Sequence, residues 1–367
     1  MRVALVHDYL NQVGGGERVL TQLMRMFPDA PVYTLLYDEK KTRGAYAGRV
    51  RKTSFLDFQF ARDHHRLFIP LMPLAARSLD LGSEYDLIIS DSAGFGKGVR
   101  YNHATTKHLC YVHTPLRYAW ETDTYFGHNL KAQIFNTIFL PAFAYVRRFD
   151  YWAGQQPDML LANSAYIAEK VRRYYNREAS VLYPAISDTW SAGSQINAAA
   201  VPPYYLAAGR LLHYKRFDLV IDACKKSGRR LKIVGDGPER RSLEARARGA
   251  SSIEFLGYVS SDEELRNLYA GATAFIMPNE EDFGLVMAEA QASGTPVLAY
   301  GVGGACEIVD PRVTGLLFHE QTPETLIAAM DSFDRLSFDR KVISASARRF
   351  NQQAFEDGVR AAIKKMF

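Results

Sequence analysis

Short apolar segments alternate with helical segments along most of this chain, and this alternation is the feature that most constrains its fold. Several apolar segments, such as residues 272–278, are apolar almost throughout instead of alternating between apolar and polar residues. Continuous apolar strands are typical of parallel sheets whose two faces are both covered. The predicted strands are residues 2–9, 31–37, 85–92, 108–114, 158–164, 179–184, 204–210, 231–237, 253–259, 272–278, 296–301 and 314–320. The pattern predicts an α/β chain with two doubly wound sheets.

Residues 187–203 interrupt this alternation. They are rich in Ser, Ala, Gly and Pro and show no periodicity, which indicates an interdomain linker. A chain of 367 residues is long enough for two domains that each bury a core. We therefore expect an N-terminal Rossmann-like domain over residues 1–186, a C-terminal one over residues 204–349, and a cleft between them.

Composition excludes several classes of protein. The three cysteines are widely spaced, which favours neither a disulfide framework nor a zinc site and suggests a reducing compartment. The first residues, MRVALVHDY, reach His7 and Asp8 too early for a signal peptide, so they predict a strand. No uninterrupted apolar run approaches the roughly 20 residues of a membrane-spanning helix. The expected location is the cytoplasm.

The net charge of +5 is concentrated in the first half. Residues 40–107 contain 12 Lys and Arg against 6 Asp and Glu. Within them, Arg62, Arg66 and Arg77 accompany an apolar run that includes Phe68, Ile69, Leu71 and Leu74. A basic region with exposed apolar groups suggests an anionic membrane surface or a nucleic acid, although a merely solvated surface explains the charge as well. No nucleic-acid recognition module is present, so nucleic acid is the least favoured partner.

The stretch PNEEDFGLVMAEAQASG, residues 278–294, contains two glutamates eight positions apart, Glu281 and Glu289. Eight positions are about 2.2 turns of a helix, so the two carboxylates are expected to project within about 80° of each other around its axis. Glu281 is expected at or just before the helix N-terminus and Glu289 in the helix interior. The N–H groups at the helix start, over residues 282–286, would suit an anion such as a diphosphate. Alternatively, Glu281 only stabilises its helix and Glu289 is a solvated side chain.

Two features of the first half lie where a strand ends. Gly14, Gly15 and Gly16 follow the first predicted strand and open a helix, so their backbone could approach a phosphate or a sugar closely. The loop lacks the spaced glycines of a dinucleotide site and is also consistent with a plain tight turn. His113 lies at the end of the strand over residues 108–114, at the edge that would face the cleft; a structural histidine is the alternative.

Arg210 and Lys215 follow the first strand of the second half. A guanidinium fork and a mobile ammonium at a strand–helix junction can hold a diphosphate, although spacing alone also fits a solvated loop. The chain has no D-x-D triplet, no G-x-x-x-x-G-K-[ST], no G-x-S-x-G and no H-E-x-x-H. Phosphate charge would therefore be neutralised by Arg, Lys and helix ends, and no metal or other cofactor is expected.

These motifs together resemble retaining glycosyltransferase family 4, which has the GT-B fold. The resemblance covers nearly the whole chain and rests on GR-x4-K, VGDGP, GYVS, E-x7-E with FGL inside it, SGTPV and GG-x-x-E, in that order. Within this family, HTPLRYAW (residues 113–120) and PNEEDFGLVMAEAQA are most similar to bacterial mannosyltransferases. Those enzymes build polyprenyl-diphosphate-linked exopolysaccharide or O-antigen units.

The resemblance implies a role for each matching residue. Arg210 and Lys215 would bind the donor diphosphate and stabilise it as it leaves, and Glu281 would contact the transferred sugar. His113 would hydrogen-bond the sugar near the reacting carbon, and Glu289 would accept from ribose hydroxyls. The remaining expected donor contacts are Gly15, Gly16, Gly257, Tyr258, Val259, Phe283, Gly284 and Leu285. A C-terminal helix over residues 350–367 would return to the first domain.

The implied reaction moves mannose from GDP-mannose onto a polyprenyl-diphosphate-linked saccharide at the inner face of the bacterial plasma membrane. Trp120, Tyr125 and Phe126 would either stack on the acceptor sugar or belong to the core. Alternatives are a UDP- or ADP-sugar-dependent transferase with a soluble acceptor, and a nucleotide-sugar-binding protein without turnover. Both glutamates, both cations and His113 argue against the last alternative.

Overall fold

The computed structural model describes the backbone of residues 1–12, 14–121, 130–191 and 202–367, and their side chains except Tyr118, residues 130–140, Asp188 and Ser191. The chain divides into two compact units. The first comprises Met1–Tyr183 and Glu356–Phe367, and the second comprises Pro184–Phe355. Each unit contains a parallel sheet with helices between its strands, which confirms the predicted α/β class with two Rossmann-like domains.

In the described residues, the first unit has a seven-stranded parallel sheet with the strand order β3-β2-β1-β4-β5-β6-β7. Its strands are β1 (Val3–Leu10), β2 (Val32–Tyr37), β3 (Val50–Thr53), β4 (Leu87–Ser92), β5 (Lys107–Val112), β6 (Met159–Ala162) and β7 (Ser180–Val181). Its helices are α1 (Gly15–Met26), α2 (Gln59–Asp63), α3 (Met72–Ser78), α4 (Arg117–Trp120), α5 (Leu130–Gly154) and α6 (Ala165–Tyr175), with 3-10 turns at His65–Leu71 and Gly96–Gly98.

The described part of the second unit has a six-stranded parallel sheet with the order β10-β9-β8-β11-β12-β13. Its strands are β8 (Tyr205–Ala208), β9 (Leu231–Val234), β10 (Ile253–Gly257), β11 (Ala274–Met277), β12 (Val297–Tyr300) and β13 (Gly315–Phe318). Its helices are α7 (Phe217–Ser227), α8 (Arg240–Ala247), α9 (Asp262–Gly271), α10 (Leu285–Ala292), α11 (Ala305–Ile308), α12 (Pro323–Phe333) and α13 (Arg340–Ser346), with 3-10 turns at Asp188–Ser191, His213–Lys215 and Ala347–Phe350. The last helix, α14 (Gln352–Met366), begins in this unit and ends in the first.

Local sequence explains where the helices begin and end. In α1, Val19, Leu20 and Leu23 recur at helical spacing and are buried, so one face of the helix packs on the sheet. The Ser164 hydroxyl accepts a hydrogen bond from the backbone N–H of Ile167 and caps the start of α6. In the same way, Thr322 caps α12 and Asp339 caps α13.

Strand β3 is an element that sequence periodicity did not predict. Its residues, VRKT, carry two cations, and both Arg51 and Lys52 are exposed. The strand lies at the edge of the sheet and pairs only with β2 among the described strands. Edge strands often carry charged side chains because such charges discourage pairing with another chain, so an apolar pattern is not required there.

A buried ion pair fixes the segment that follows β4. Lys97 and Asp150 side chains are each 1% exposed, and Lys97 Nζ lies 2.7 Å from Asp150 Oδ1. The other carboxylate oxygen, Oδ2, accepts hydrogen bonds from Trp120 Nε1 at 2.7 Å and from the Tyr175 hydroxyl at 2.9 Å. The Lys97 ammonium also donates to the carbonyl of Gly94. These bonds connect the loop after β4 with α4, α5 and α6.

Helix α14 packs on the first unit near Leu182, because a Cβ added to Gly358 would overlap that side chain. Of the expected linker, residues 192–201 lie outside the described residues, while Trp190 is 2% exposed and its ring packs edge-on against Tyr269 at 5.6 Å. In the described part of the chain, none of the helices has the length and apolarity needed to cross a lipid bilayer.

Candidate functional site

Each sheet changes the direction of its strand order at one place, and His113, Lys215 and Glu281 follow strands beside these two places. The first sheet reverses between β1 and β4, and the second between β8 and β11. In open α/β sheets, ligands bind at the carboxyl ends of strands beside such a reversal. The β1/β4 cluster at the first reversal comprises His7, Gly16, Asp91 and His113, and the β8/β11 cluster at the second comprises Arg210, Lys215, Asn279 and Glu281.

The centre of the β1/β4 cluster is the carboxylate of Asp91, which is fully buried. His7 Nδ1 lies 2.9 Å from Asp91 Oδ2, and His113 Nε2 lies 2.5 Å from Asp91 Oδ1. His7 and Asp91 are partners in the register of β1 and β4, and His113 follows β5, the next strand in the sheet. One carboxylate therefore receives hydrogen bonds from two imidazoles at the carboxyl edge of the sheet.

The carboxylate of Asp91 and the two imidazoles stabilise each other's charged forms. Burial by itself lowers the pKa of His7, but the hydrogen bond and charge of Asp91, with the charges of Glu17 and Asp8, outweigh it and raise the pKa to about 9. Burial also disfavours the cationic form of His113, yet the charge and hydrogen bond of Asp91 raise the pKa of His113 above its ordinary value. Conversely, although burial opposes ionisation of Asp91, the two histidines hold its pKa below the usual range.

The glycine loop lies against this cluster. Gly14 is the N-cap of α1, and Gly15 and Gly16 form its first two positions. A Cβ added to Gly16 would lie 3.5 Å from His113 Nε2 and 3.6 Å from His7 Cε1. The fold therefore brings together the glycine loop and His113, which the sequence analysis singled out separately.

The β8/β11 cluster contains the ion pair of Lys215 and Glu281. Lys215 Nζ contacts Glu281 Oε1, and the two side chains are 20% and 17% exposed. The amide of Asn279 donates to the same carboxylate oxygen at 2.9 Å. The ammonium and the carboxylate come from segments 66 residues apart, one after β8 and one after β11. Both groups thus lie at the carboxyl edge of the second sheet, beside its reversal.

The backbone of Glu281 is held by two glycines. Gly304 N–H donates to the carbonyl of Glu281 at 2.8 Å, and a Cβ on Gly303, whose φ is +74°, would overlap that carbonyl. A Cβ on Gly304 would overlap the backbone of Phe283. Gly303 and Gly304 are therefore required for the close approach of these two chain segments, and this approach positions Glu281.

The loop that carries Arg210 is held in a similar way. Gly209 donates to the carbonyl of Val234, and Leu211 donates to that of Asp236 at 3.0 Å. A Cβ on Gly235 or on Gly237 would overlap this loop. The glycines of VGDGP therefore pack against the segment of GR-x4-K, and the guanidinium of Arg210 projects from a fixed backbone into an exposed position.

The structure corrects the helical geometry expected of E-x7-E. Helix α10 begins at Leu285, so Glu281 lies before it in an extended segment that bridges to Gly303. The 80° projection between the two carboxylates is therefore wrong, because only Glu289 is on the helix. Glu289 is 1% exposed, which contradicts a solvated side chain. Gly284 is the N-cap of α10 with φ +97°, a left-handed conformation that favours glycine.

The other expected donor contacts lie on the same half of the chain. Phe283 is buried and packs edge-on against Phe350, with ring centroids 5.3 Å apart. Gly257 ends β10 with φ +73°, and its carbonyl accepts from the N–H of Gly235 at 2.7 Å. Tyr258 is 65% exposed, and Val259 follows it at the same strand end.

Sequence reasoning missed His7, Asp91 and Asn279. His7 and Asp91 lie in the carboxyl-terminal halves of β1 and β4, and Asn279 lies shortly after β11, so a polar residue towards the end of an apolar strand was the available signal. The Trp120 ring stacks on Tyr174, with centroids 4.7 Å apart, and hydrogen-bonds to Asp150. These contacts explain Trp120 as a packing residue, while Tyr125 and Phe126 lie outside the described residues. Among the residues with described side chains, no group of three or more His, Cys, Asp or Glu is arranged to hold a metal ion.

Two family models match the chain. The model described as Glycosyltransferase Family 4 matches residues 13–190, and the model described as Glycosyl transferases group 1 matches residues 190–354. An uncharacterized glycosyltransferase of Methanocaldococcus jannaschii is 34% identical over 134 residues, an alignment that covers 34% of this chain and 34% of that protein. The alignment with a second uncharacterized glycosyltransferase of this organism covers 62% of that protein. The chain therefore matches these curated relatives over only part of their length.

Solved structures match over the whole chain. Sucrose-phosphate synthase from Thermosynechococcus elongatus aligns with a TM-score of 0.73 and 18% identity, covering 100% of this chain and 99% of that chain. Anabaena HepE in complex with UDP-glucose aligns with a TM-score of 0.70 and 17% identity, covering 100% of both chains. At such identities the likeness concerns the fold. With a glycosyltransferase family 4 half followed by a group 1 half, this chain belongs to the glycosyltransferases of the GT-B fold.

Proposed function

We propose that this chain is a retaining glycosyltransferase that moves a hexose from a nucleoside diphosphate to an acceptor hydroxyl. The observation that carries the proposal is the β8/β11 cluster, in which Lys215 and Glu281 meet at the carboxyl edge of the sheet. Cations bind a diphosphate, and a carboxylate accepts hydrogen bonds from a sugar hydroxyl. This edge of the sheet provides both kinds of group, because Lys215 and Glu281 are in contact. The nearby start of α10 adds backbone N–H groups, which favour an anion.

The reaction follows from these groups. The bond between the anomeric carbon and the diphosphate breaks, and its electron pair goes to the departing phosphate oxygen. The acceptor oxygen forms the new bond to that carbon, and its proton goes to the departing phosphate oxygen. Lys215 and Arg210 offset the charge that grows on the leaving diphosphate, while Glu281 holds the sugar. His113 contacts the sugar near the reacting carbon, and no nucleophile of the protein is assigned.

We propose GDP-mannose as the donor, because HTPLRYAW and the segment around Glu281 are most similar to bacterial mannosyltransferases. A UDP-sugar is the second candidate, since Anabaena HepE was solved with UDP-glucose. Thermal unfolding with GDP, UDP and ADP species, followed by a product assay with each nucleotide sugar, separates the candidates. Stabilisation and turnover with GDP-mannose are expected. Turnover with UDP-glucose alone would refute the donor assignment, and stabilisation without turnover on any acceptor would favour a binding protein.

For the acceptor, we propose a polyprenyl-diphosphate-linked saccharide at an anionic membrane. The support is a surface in the first unit, here called the apolar basic surface, that spans residues 55–77 and exposes large apolar side chains: Phe55, Phe60, Leu67 and Leu74 are 57%, 55%, 69% and 54% exposed. Two carboxylates of this surface, those of Asp57 and Asp63, are paired with Arg62 and Lys41. Exposed apolar groups beside compensated carboxylates and further cations suit an anionic bilayer.

Flotation with vesicles tests this part. Neutral vesicles and vesicles with about a third anionic lipid are compared at low and physiological salt, because electrostatic attraction is screened by salt. The L67D variant should lose flotation with anionic vesicles, whereas V342D, at an exposed apolar position of the second unit, should keep it. Equal flotation of L67D and the parent chain, or no flotation of the parent chain at low salt, would refute membrane docking at this surface.

A further inference from the structure

The β1/β4 cluster contains a buried carboxylate and a second histidine in addition to His113, the residue that would contact the sugar. Asp91 is buried without exposure, yet each of its oxygens receives a hydrogen bond from a different imidazole. The sheet itself sets this geometry, since β4 lies between β1 and β5. The arrangement therefore follows from the strand order and does not depend on the conformation of a surface loop.

The bond to Asp91 determines which nitrogen His113 can offer. Nε2 carries a proton and donates to Asp91 Oδ1, because an ionised carboxylate can only accept. Among the residues with described side chains, the His113 ring hydrogen-bonds to Asp91 alone, so Nδ1 is the nitrogen left for a substrate. The main chain is fixed as well, because the carbonyl of His113 accepts from Asn163 Nδ2 at 3.0 Å and its N–H donates to Ser92.

Other buried polar groups of the same unit show that burial alone does not produce this cluster. His108, on β5, is fully buried and hydrogen-bonds to Ser90 at 2.7 Å, and burial lowers the pKa of His108 to about 3. Asp8, also buried, accepts from the N–H groups of Ala93 and Gly96, both at 2.6 Å, and so closes the loop after β4. Of these groups, only the carboxylate of Asp91 joins two rings.

We propose that Asp91 is a positioning residue for sugar transfer: its Oδ1 holds His113 with Nδ1 directed to the reacting sugar, and His7, bound to Oδ2, holds Asp91 in place. This inference rests on the proposed transferase function, and it adds two residues to the site. Asp91 is too deeply buried to contact the sugar, so it acts through His113. His7 neutralises the carboxylate from the other side, which keeps Asp91 ionised in a buried environment.

The charged groups around the two rings bear on protonation. Asp91, Glu17 and Asp8 act on His7, while Asp91 and Asp8 act on His113 against the opposing charge of His7. Tyr111, on β5, packs edge-on against the His113 ring with centroids 5.3 Å apart. Every carboxylate in this set favours the cationic imidazoles, so removal of Asp91 should lower the pKa values of both.

The first test measures the pKa of His113 directly. With ¹³C-labelled histidine, the parent chain and D91N are titrated by NMR, and H113Q and H7N assign the two resonances. The pKa of His113 should fall in D91N, while His108 should stay neutral in both chains and serves as the internal control. An unchanged His113 pKa in folded D91N would overturn the inference. This readout does not need turnover, so it stands apart from failure of the proposed function.

The second test uses kinetics. D91N should lower kcat by about 10²-fold with little change in the KM for the donor, because misplacement of a contacting group affects mainly the transition state. H7A should also lower kcat, and H7N should recover part of that loss, since an Asn amide can replace Nδ1 as the donor to Asp91. Circular dichroism of each variant separates misfolding from misplacement. Equal kcat in D91N and the parent chain, or no difference between H7A and H7N, would overturn the positioning role.

Discussion

The two clusters occupy the same topological position in their sheets, yet they hold charge in opposite ways. In the β1/β4 cluster the charges are buried: Asp91 is 0% exposed and is enclosed by His7 and His113. In the β8/β11 cluster, Lys215 and Glu281 are 20% and 17% exposed, and Arg210 is exposed. Buried charges must be compensated inside the protein, whereas exposed cations remain able to exchange partners.

This difference suggests a division of labour. A cation that receives and releases a diphosphate must not be enclosed, which suits Lys215 and Arg210. A histidine that orients one sugar hydroxyl benefits from a rigid environment, which the buried carboxylate of Asp91 provides. Substitutions in the β1/β4 cluster should therefore change stability and histidine protonation as well as turnover, whereas substitution of Lys215 should change mainly turnover.

The largest expected effect is on folding of the first unit. Asp150→Ala should reduce the free energy of unfolding by about 3–5 kcal/mol, because it leaves the ammonium of Lys97 buried and without its carboxylate. Urea unfolding followed by circular dichroism measures this loss. The double variant D150L/K97M should be less destabilised than Asp150→Ala alone, since it buries no charge. A change below about 1 kcal/mol in Asp150→Ala would contradict the account of this ion pair.

Next in size is the effect of Lys215 on turnover. Lys215→Ala should lower kcat by about 10²–10³-fold, the usual loss when one group that stabilises a leaving charge is removed. Because its side chain is partly exposed, the unfolding free energy should change little, in contrast to Asp150→Ala. Steady-state kinetics with the active nucleotide sugar, beside a melting curve, measures both. Unchanged turnover would refute the diphosphate role of Lys215.

Stability should depend on pH through the histidines of the first unit. His7 has its pKa raised to about 9, so its stabilising contribution is fully present below pH 6.5 and is lost as the pH rises through about 9. His108 has its pKa lowered to about 3, so the unfolded chain binds the extra proton and stability falls as the pH drops below 6.5. Urea unfolding from pH 5 to pH 10 should show the free energy of unfolding falling towards both ends of this range, and H7N should reduce the fall at the alkaline end. An equal alkaline fall in H7N and the parent chain would argue against the His7 assignment.

A smaller effect is expected at the glycine pair that holds Glu281. Gly303→Ala combines the cost of a left-handed conformation, roughly 1–2 kcal/mol, with overlap on the Glu281 carbonyl. Gly249→Ala is the matched control, because Gly249 has φ +80° and no atom within 4 Å of an added Cβ. Gly303→Ala should lose more stability than the control and should also lose turnover. Equal losses in both variants would show that the contact with Glu281 is unimportant.

The smallest effect should come from a surface pair of the second unit. Lys226 and Glu324 are 61% and 65% exposed, and solvent screens exposed ion pairs of this kind so strongly that they contribute little to stability. Lys226→Ala should therefore leave both melting temperature and turnover nearly unchanged. It serves as the cation control for Lys215→Ala. A large loss of turnover in Lys226→Ala would mean that removal of any cation of this unit impairs transfer.

Several features of the fold could be predicted from local sequence. Each expected strand has a counterpart in the structure. The buried parallel strands could be predicted because such a strand must be apolar wherever it lies in the sheet. Strand β3 was missed for the converse reason, since an edge strand with Arg51 and Lys52 needs no apolar pattern. The start of α10 was placed too early, because the segment before Gly284 is held in extended form by a contact with Gly303 that local sequence does not encode.

Local sequence encodes the apolar strands, the glycines where segments approach closely, and the polar residues towards the strand ends. Which strand ends meet depends on the packing of each unit. His7, Asp91 and His113 come from three segments that the sheet order makes neighbours, and Lys215 reaches Glu281 across 66 residues of sequence. Periodicity reports only the environment of each segment, whereas strand order depends on how all the segments of a unit bury their apolar surface together.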